Sequence, residues 1–256
     1  MGKPQESQTS QRRITICQKL KTAFARALFP DSFVCLDCER ELCDKEREFS
    51  MCSACLKKLP YITTERCRIC GAPIEHKFNV CKRCQTALPH FDKAYAPFAY
   101  EGFIKRMILS YKDGDCNYLY KHIARFLTDY YKALGIACDA VCYVPSGKEK
   151  IRRRGFEHNN KVTVQFSKDT QIPLIKPLLE ARSNKDQAGK RRQERLATIR
   201  GVFAPDTNFD ASLTRGKCIL LIDDVMTTGA TANECARILK ENLGAKEVIV
   251  LTLARS

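Results

Sequence analysis

The segment Cys218-Ile-Leu-Leu-Ile-Asp-Asp-Val-Met-Thr-Thr-Gly-Ala-Thr231 brings together residue types that could act on one ligand. Its apolar run reads as a buried strand delivering Asp223 and Asp224 to its carboxyl end, where open α/β sheets bind their ligands. Thr227-Thr228-Gly229-Ala230-Thr231 then turns into a helix. Successive backbone N–H groups, threonine hydroxyls and the positive end of the helix dipole would converge on one point, which suits a phosphate. Adjacent carboxylates can accept hydrogen bonds from vicinal ribose hydroxyls, so one element is fitted to a ribose 5-phosphate. An ordinary acidic strand end, or an ordinary N-cap, explains either half alone but not both in register. No G-x-x-x-x-G-K-[ST] loop is present and no G-x-G-x-x-G follows a strand, which removes the main support for an ATPase or a dinucleotide enzyme.

Cysteine supplies the second chemistry. Of 15 cysteines, eight form four C-x-x-C pairs: Cys35/Cys38, Cys52/Cys55, Cys67/Cys70 and Cys81/Cys84. Such a pair sets two thiolates at a tight turn, and two pairs complete a tetrahedral Cys₄ zinc site. Successive pairing gives Cys35/Cys38/Cys52/Cys55 for one ion and Cys67/Cys70/Cys81/Cys84 for another; alternating the pairs is the other arrangement. Four thiolates close the coordination sphere, so these zinc ions would be structural. A redox C-x-x-C normally occurs singly on a strand-helix turn. The other seven cysteines read as small buried hydrophobes, with Cys43 near enough in sequence to compete as a ligand.

These features sit in a chain of 256 residues with 44 Lys+Arg, 29 Asp+Glu and 44% hydrophobic residues, a globular composition for one or two domains. The net charge of +15 is uneven: residues 141–200 hold 15 Lys/Arg against 6 Asp/Glu. Two dense blocks, Lys148 to Arg154 and Lys185 to Arg195, dominate that excess and would attract polyanions. No apolar run approaches the ~18 residues of a membrane-spanning helix, and no secretory leader is legible at the N-terminus, so the expected location is the cytoplasm.

The positioning elements follow from periodicity. Gln11 to Phe29 reads as a basic amphipathic helix, and the four C-x-x-C pairs occupy 35–90. An extended run at Ala94 to Tyr100 precedes helices at Phe103–Tyr111 and Tyr118–Ala133. Asp139 to Val144 reads as a buried strand closed by Pro145-Ser146-Gly147, and Asn159 to Lys168 as a helix. Short extended runs lie near Leu174-Ile175 and Gly201 to Phe203. Strand Lys217–Ile222, helix Thr231–Asn242 and strand Glu247–Leu253 complete an α/β pattern with a largely parallel sheet.

The pattern from Asp223 to Thr231 resembles the phosphoribosyl-pyrophosphate motif of type I phosphoribosyltransferases. Over about residues 30 to 256 the chain resembles the ComF family. The matching stretches are the four C-x-x-C pairs, Val144-Pro145 with Arg154-Gly155-Phe156, Gln187-Ala188-Gly189 with Glu194 to Ala197, Arg200 to Phe203, and the Asp223 segment. The resemblance implies an N-terminal tail and helix (1–34), a double zinc ribbon (35–90) and a phosphoribosyltransferase-like domain (91–256). It implies two structural Zn²⁺, and Mg²⁺ entering with phosphoribosyl pyrophosphate. Asp223 and Asp224 would be catalytic; Thr227, Thr228, Gly229, Ala230 and Thr231, with Lys150 and Arg154 of the pyrophosphate loop, would bind the ligand. Gln187 to Arg195 would close over the site.

The function this implies is a phosphoribosyltransferase-like protein acting in DNA uptake, handling single-stranded DNA alongside uptake proteins. Two alternatives stand beside it: a salvage transferase that uses a small nitrogenous base and releases pyrophosphate, and a non-catalytic regulator that binds phosphoribosyl pyrophosphate. The chain departs from the family at Glu157-His158, commonly Asn-Gln, at Lys190-Arg191, often Leu-Ser, and at Thr198, where Asn is frequent. The acceptor and the oligomeric state stay open.

Overall fold

The structure is a computed structural model that describes residues 33–43, 46, 50–74, 79–113, 116–180 and 201–256. The amphipathic helix expected at Gln11 to Phe29 and the closing loop expected at Gln187 to Arg195 lie outside the described residues. The chain divides into two compact units, with the break between Leu59 and Pro60, inside the cysteine-rich window.

The first unit builds its C-x-x-C turn from an antiparallel bridge between Val34 and Glu41. Cys52 then begins a short helix, α1 (Ser53–Lys57), its sulfur accepting from the N–H of Cys55. The second unit repeats the device at its start. A bridge between Arg66 and Pro73 closes the turn carrying Cys67 and Cys70, and Cys81 precedes α2 (Lys82–Thr86).

From there the second unit becomes a sheet covered by helices. Strands β1 (Lys93–Tyr95) and β2 (Phe98–Ala99) lead to α3 (Gly102–Asp113), α4 (Tyr120–Leu134) and β3 (Ala140–Tyr143). Then come α5 (Lys148–Arg154), α6 (His158–Thr170), β4 (Leu178–Glu180), β5 (Phe203–Pro205), β6 (Cys218–Met226), α7 (Ala230–Glu241) and β7 (Glu247–Arg255). The main sheet has the order β1-β7-β6-β3, with β2 also on β7, and every pairing is parallel. The two central strands are almost wholly apolar: Ile219 to Ile222 and Val248 to Leu251 are no more than 4% exposed. That is the pattern of a parallel sheet covered on both faces.

Several boundaries differ from the sequence reading. Strand β6 does not stop at Ile222; its pairing with β7 continues through Asp223↔Thr252 and Val225↔Ala254 to Met226↔Arg255. Hydrogen bonds to a neighbour of equal length outweigh the low strand preference of aspartate. The basic block after Gly147 is a helix, α5, ended by Gly155 at φ 76°. Leu174 bridges β3 in parallel, while the nearby strand, β4, pairs antiparallel with β5 in a separate small sheet.

Leu221, fully buried in β6, tests the weight of this core. We expect Leu221→Ala to cost ~2–5 kcal/mol, measured by urea unfolding of the full chain.

Candidate functional site

The β6 carboxylates are held by three separate elements. Asp223 Oδ1 accepts from Asn159 Nδ2 (3.0 Å) and from the N–H of Asp224 (2.9 Å). Asp224 Oδ2 meets His158 Nε2 at 2.8 Å and forms an ion pair with Lys112, at the end of α3. Each carboxylate therefore uses one oxygen internally, and Asp223 Oδ2 and Asp224 Oδ1 have no hydrogen-bond partner among the described residues. Burial and the neighbouring Asp224 charge push the Asp223 carboxyl up. Burial would raise Asp224 too, but the bond from His158 and the Lys112 ammonium outweigh it and hold Asp224 below the usual carboxylate range.

His158 joins these acids to the segment that follows β3. Its Nδ1 lies 3.0 Å from Ser146 Oγ and 3.2 Å from an Arg154 guanidinium nitrogen. A guanidinium can only donate. Nδ1 is therefore the acceptor, and Nε2–H donates to Asp224. The ring is 7% exposed, and Tyr111 Oη donates to the His158 carbonyl at 2.8 Å. Glu157 closes the loop from the other side, accepting from Tyr143 Oη and from the Ser146 N–H, both at 3.0 Å. Arg154 points inward, its side chain 10% exposed and also paired with Asp113 of α3 at 3.5 Å. Lys150 is exposed on α5 and joins none of these bonds.

The turn after β6 depends on Gly229. Its φ is 76°, and an added Cβ would lie 2.6 Å from the Met226 side chain and 3.7 Å from the Phe91 ring. Glycine alone adopts that conformation at little cost. Thr228 Oγ1 accepts from the Ala230 N–H (3.3 Å), and the first intrahelical bond of α7 runs from the Asn233 N–H to the Gly229 carbonyl. The N–H groups of Thr231 and Ala232 precede that bond, as at every helix start, and are oriented outward for an anion.

Both cysteine groups gather by successive pairs. In each, the four Sγ atoms lie within 4.8 Å of one another, with Cys38–Cys52 at 3.7 Å and Cys70–Cys81 at 3.6 Å. A tetrahedral ion with Zn–S bonds of ~2.3 Å would set its sulfurs about 3.8 Å apart, so the thiols fit zinc. Cys43 is exposed and outside the cluster.

Sequence reasoning located Asp223, Asp224 and Arg154 but missed Lys112, Ser146 and Asn159. His158, which entered the sequence analysis only as a departure from the family pattern, is buried against Asp224. Lys112 ends an amphipathic helix and carries no local signal. Asn159, directly after His158 at the start of α6, was the more accessible clue.

Comparison with known proteins agrees with this architecture. The double zinc ribbon domain model matches residues 24–85, and the phosphoribosyl transferase domain model matches 151–256. Competence protein ComFC of Streptococcus pneumoniae is 31% identical over 208 residues, covering 80% of this chain and 87% of the relative. The chain belongs to the ComF family of competence proteins. ComFC of Bacillus subtilis is 28% identical over 213 residues, covering 80% of this ComF chain and 84% of the relative. A solved allosteric regulatory enzyme of purine biosynthesis aligns at 18% identity and TM-score 0.37, covering 52% of this chain. This chain spans about a quarter of that enzyme's length, the share being 26%. No helix among the described residues of this ComF protein is long and apolar enough to cross a membrane.

Replacing His158 by Leu leaves a buried carboxylate short of one donor. We expect His158→Leu to lose about 1–3 kcal/mol of stability, and His158→Gln, whose amide can donate to Asp224, to recover most of it in urea unfolding.

Proposed function

We propose that this ComF protein binds phosphoribosyl pyrophosphate with Mg²⁺ and acts in DNA uptake by handling incoming single-stranded DNA in the cytoplasm. The observation that carries the ligand reading is the convergence at one strand end of two carboxylates, the Gly229 turn with its outward N–H groups, and Arg154 turned in from α5. The ribose 5-phosphate would sit on Thr227 to Thr231 and the hydroxyls on Asp223 and Asp224. Arg154, with Lys150 from the exposed face of α5, would meet the pyrophosphate. The free oxygens of Asp223 and Asp224 are hard donors suited to Mg²⁺, which when bound with the ligand would neutralise its phosphates.

In a transfer reaction the bond from ribose C1 to pyrophosphate breaks and a bond to an acceptor nitrogen forms. Lys150 and Arg154 would stabilise the charge that develops on the departing oxygen. The proton lost from the acceptor has Asp223 or Asp224 within the site to receive it. The DNA reading is supported by the ComF relatives being competence proteins and by the basic surplus around residues 141–200.

Calorimetry with phosphoribosyl pyrophosphate and Mg²⁺ tests the site. The wild type should saturate and Asp223→Ala/Asp224→Ala should lose at least tenfold in affinity; equal affinities would refute the assignment. Because an ionised Asp223 accepts from a hydroxyl and binds a cation more strongly than the protonated acid, and its carboxyl is pushed up, wild-type affinity should rise with pH from the ordinary carboxylate range toward neutrality. Asp223→Asn should flatten that rise. Pyrophosphate release with one base from a panel would identify the salvage transferase instead, and saturable binding without release would favour the regulator. Single-strand affinity should fall steeply between low and high salt; salt-independent binding would remove the DNA role.

A further inference from the structure

The two cysteine clusters have the same ligands but different surroundings. Cys67, Cys70 and Cys84 belong to the same buried core as Phe91, Ala94 and Met226. Ile69, between the first two ligands, accepts through its carbonyl from the Ala94 N–H of β1 at 2.7 Å. Gly71 approaches β1 so closely that a Cβ there would lie 2.6 Å from the Ala94 carbonyl oxygen.

Two routes lead from this cluster to the phosphate turn. Along the chain, α2 and its Cys84 are followed by His90, whose N–H donates to Asn233 Oδ1 in the first turn of α7 at 2.6 Å. Phe91 then packs on Gly229, and Asp92 pairs with Lys240 further along α7 at 2.7 Å. Across the sheet, Arg255 is 6% exposed and directs one guanidinium nitrogen at Cys70 Sγ, 3.7 Å away. Its Nε and other terminal nitrogen are buried without hydrogen-bond partners among the described residues. A buried cation needs compensating charge, and four thiolates around a divalent ion carry a net charge of about −2. Arg255 is the register partner of Met226, whose side chain lies against Gly229, and the Ser256 N–H bonds the Met226 carbonyl at 3.1 Å.

We propose that the second cluster is a positioning element of the phosphate site: metal held by Cys67, Cys70, Cys81 and Cys84 fixes the Thr227–Thr231 turn through Arg255 and residues 90–92. The first cluster belongs to the other compact unit and serves as the internal control. This rests on the phosphoribosyl reading for the ligand but not for the turn. Coupling is reciprocal, so a phosphate ligand must in turn retain one zinc ion and not the other.

The test uses the full chain loaded with zinc. A chelating dye follows zinc release with and without ribose 5-phosphate. One of two release steps should slow by about fivefold or more, Arg255→Leu should abolish the slowing, and Arg255→Lys should restore part of it. Cobalt-loaded Arg255→Leu should show a shifted thiolate-to-metal charge-transfer band. Amide exchange over residues 223–233 should rise in Cys84→Ser and stay unchanged in Cys55→Ser; if Cys84→Ser does not fold, Arg255→Leu serves for the same comparison. Release rates indifferent to saturating ribose 5-phosphate, or equal slowing of both ions, overturn the proposal. Calorimetry separates the two readings: if ribose 5-phosphate does not bind, the ligand reading fails, and unchanged exchange at 223–233 would then sink the positioning role on its own.

Discussion

The fold is organised by the need to keep two carboxylates at the end of a strand whose other residues are packed away from water. Burying an ionised carboxylate without partners costs several kcal/mol, more than most single contacts return. Three helices each contribute to meeting that need. The end of α3 brings Lys112, α5 brings Arg154 to His158, and α6 opens with His158 and Asn159 in adjacent positions. The inner oxygens are thereby satisfied and the outer ones left for a ligand. The same arrangement gives two neighbouring aspartates opposite protonation tendencies, because Asp224 takes the Lys112 ammonium and the His158 N–H, whereas Asp223 bonds only neutral donors.

The basic surplus is not a uniform surface. In the block from Lys148 to Arg154, Arg154 is turned inward and Arg153 pairs with Asp113 at the surface, at 3.2 Å. Lys148, Lys150 and Arg152 remain exposed. Part of the charge thus belongs to the site itself, and the exposed part is what a long polyanion would meet.

How much of this was legible depended on how local the cause was. The β6-turn-α7 unit could be read because an apolar run, two acids and a glycine demanding positive φ follow one another directly. The cysteine grouping was legible because ligand spacing is short and the tetrahedron admits few partners. Lys112 was not, since its partner on β6 is fixed by packing of distant segments rather than by neighbours in sequence. Helix α5 had its signal, Lys and Arg being good helix formers between two glycines, but Pro145-Ser146-Gly147 drew the reading toward a turn. The extension of β6 through Asp223 and Asp224 was set by the length of β7, which no inspection of β6 alone reveals.

The strand order carries a consequence for how the chain reaches this state. β7 lies between β1 and β6, yet it follows both in sequence. Without residues 247–255, β1 and β6 have no common neighbour, and one backbone edge of Ile219 to Ile222 is left unpaired. Sheets closed by such non-local pairing form slowly and leave bare edges while they wait. Closure of the main sheet therefore depends on β7, which joins β1 to β6 across a long sequence separation.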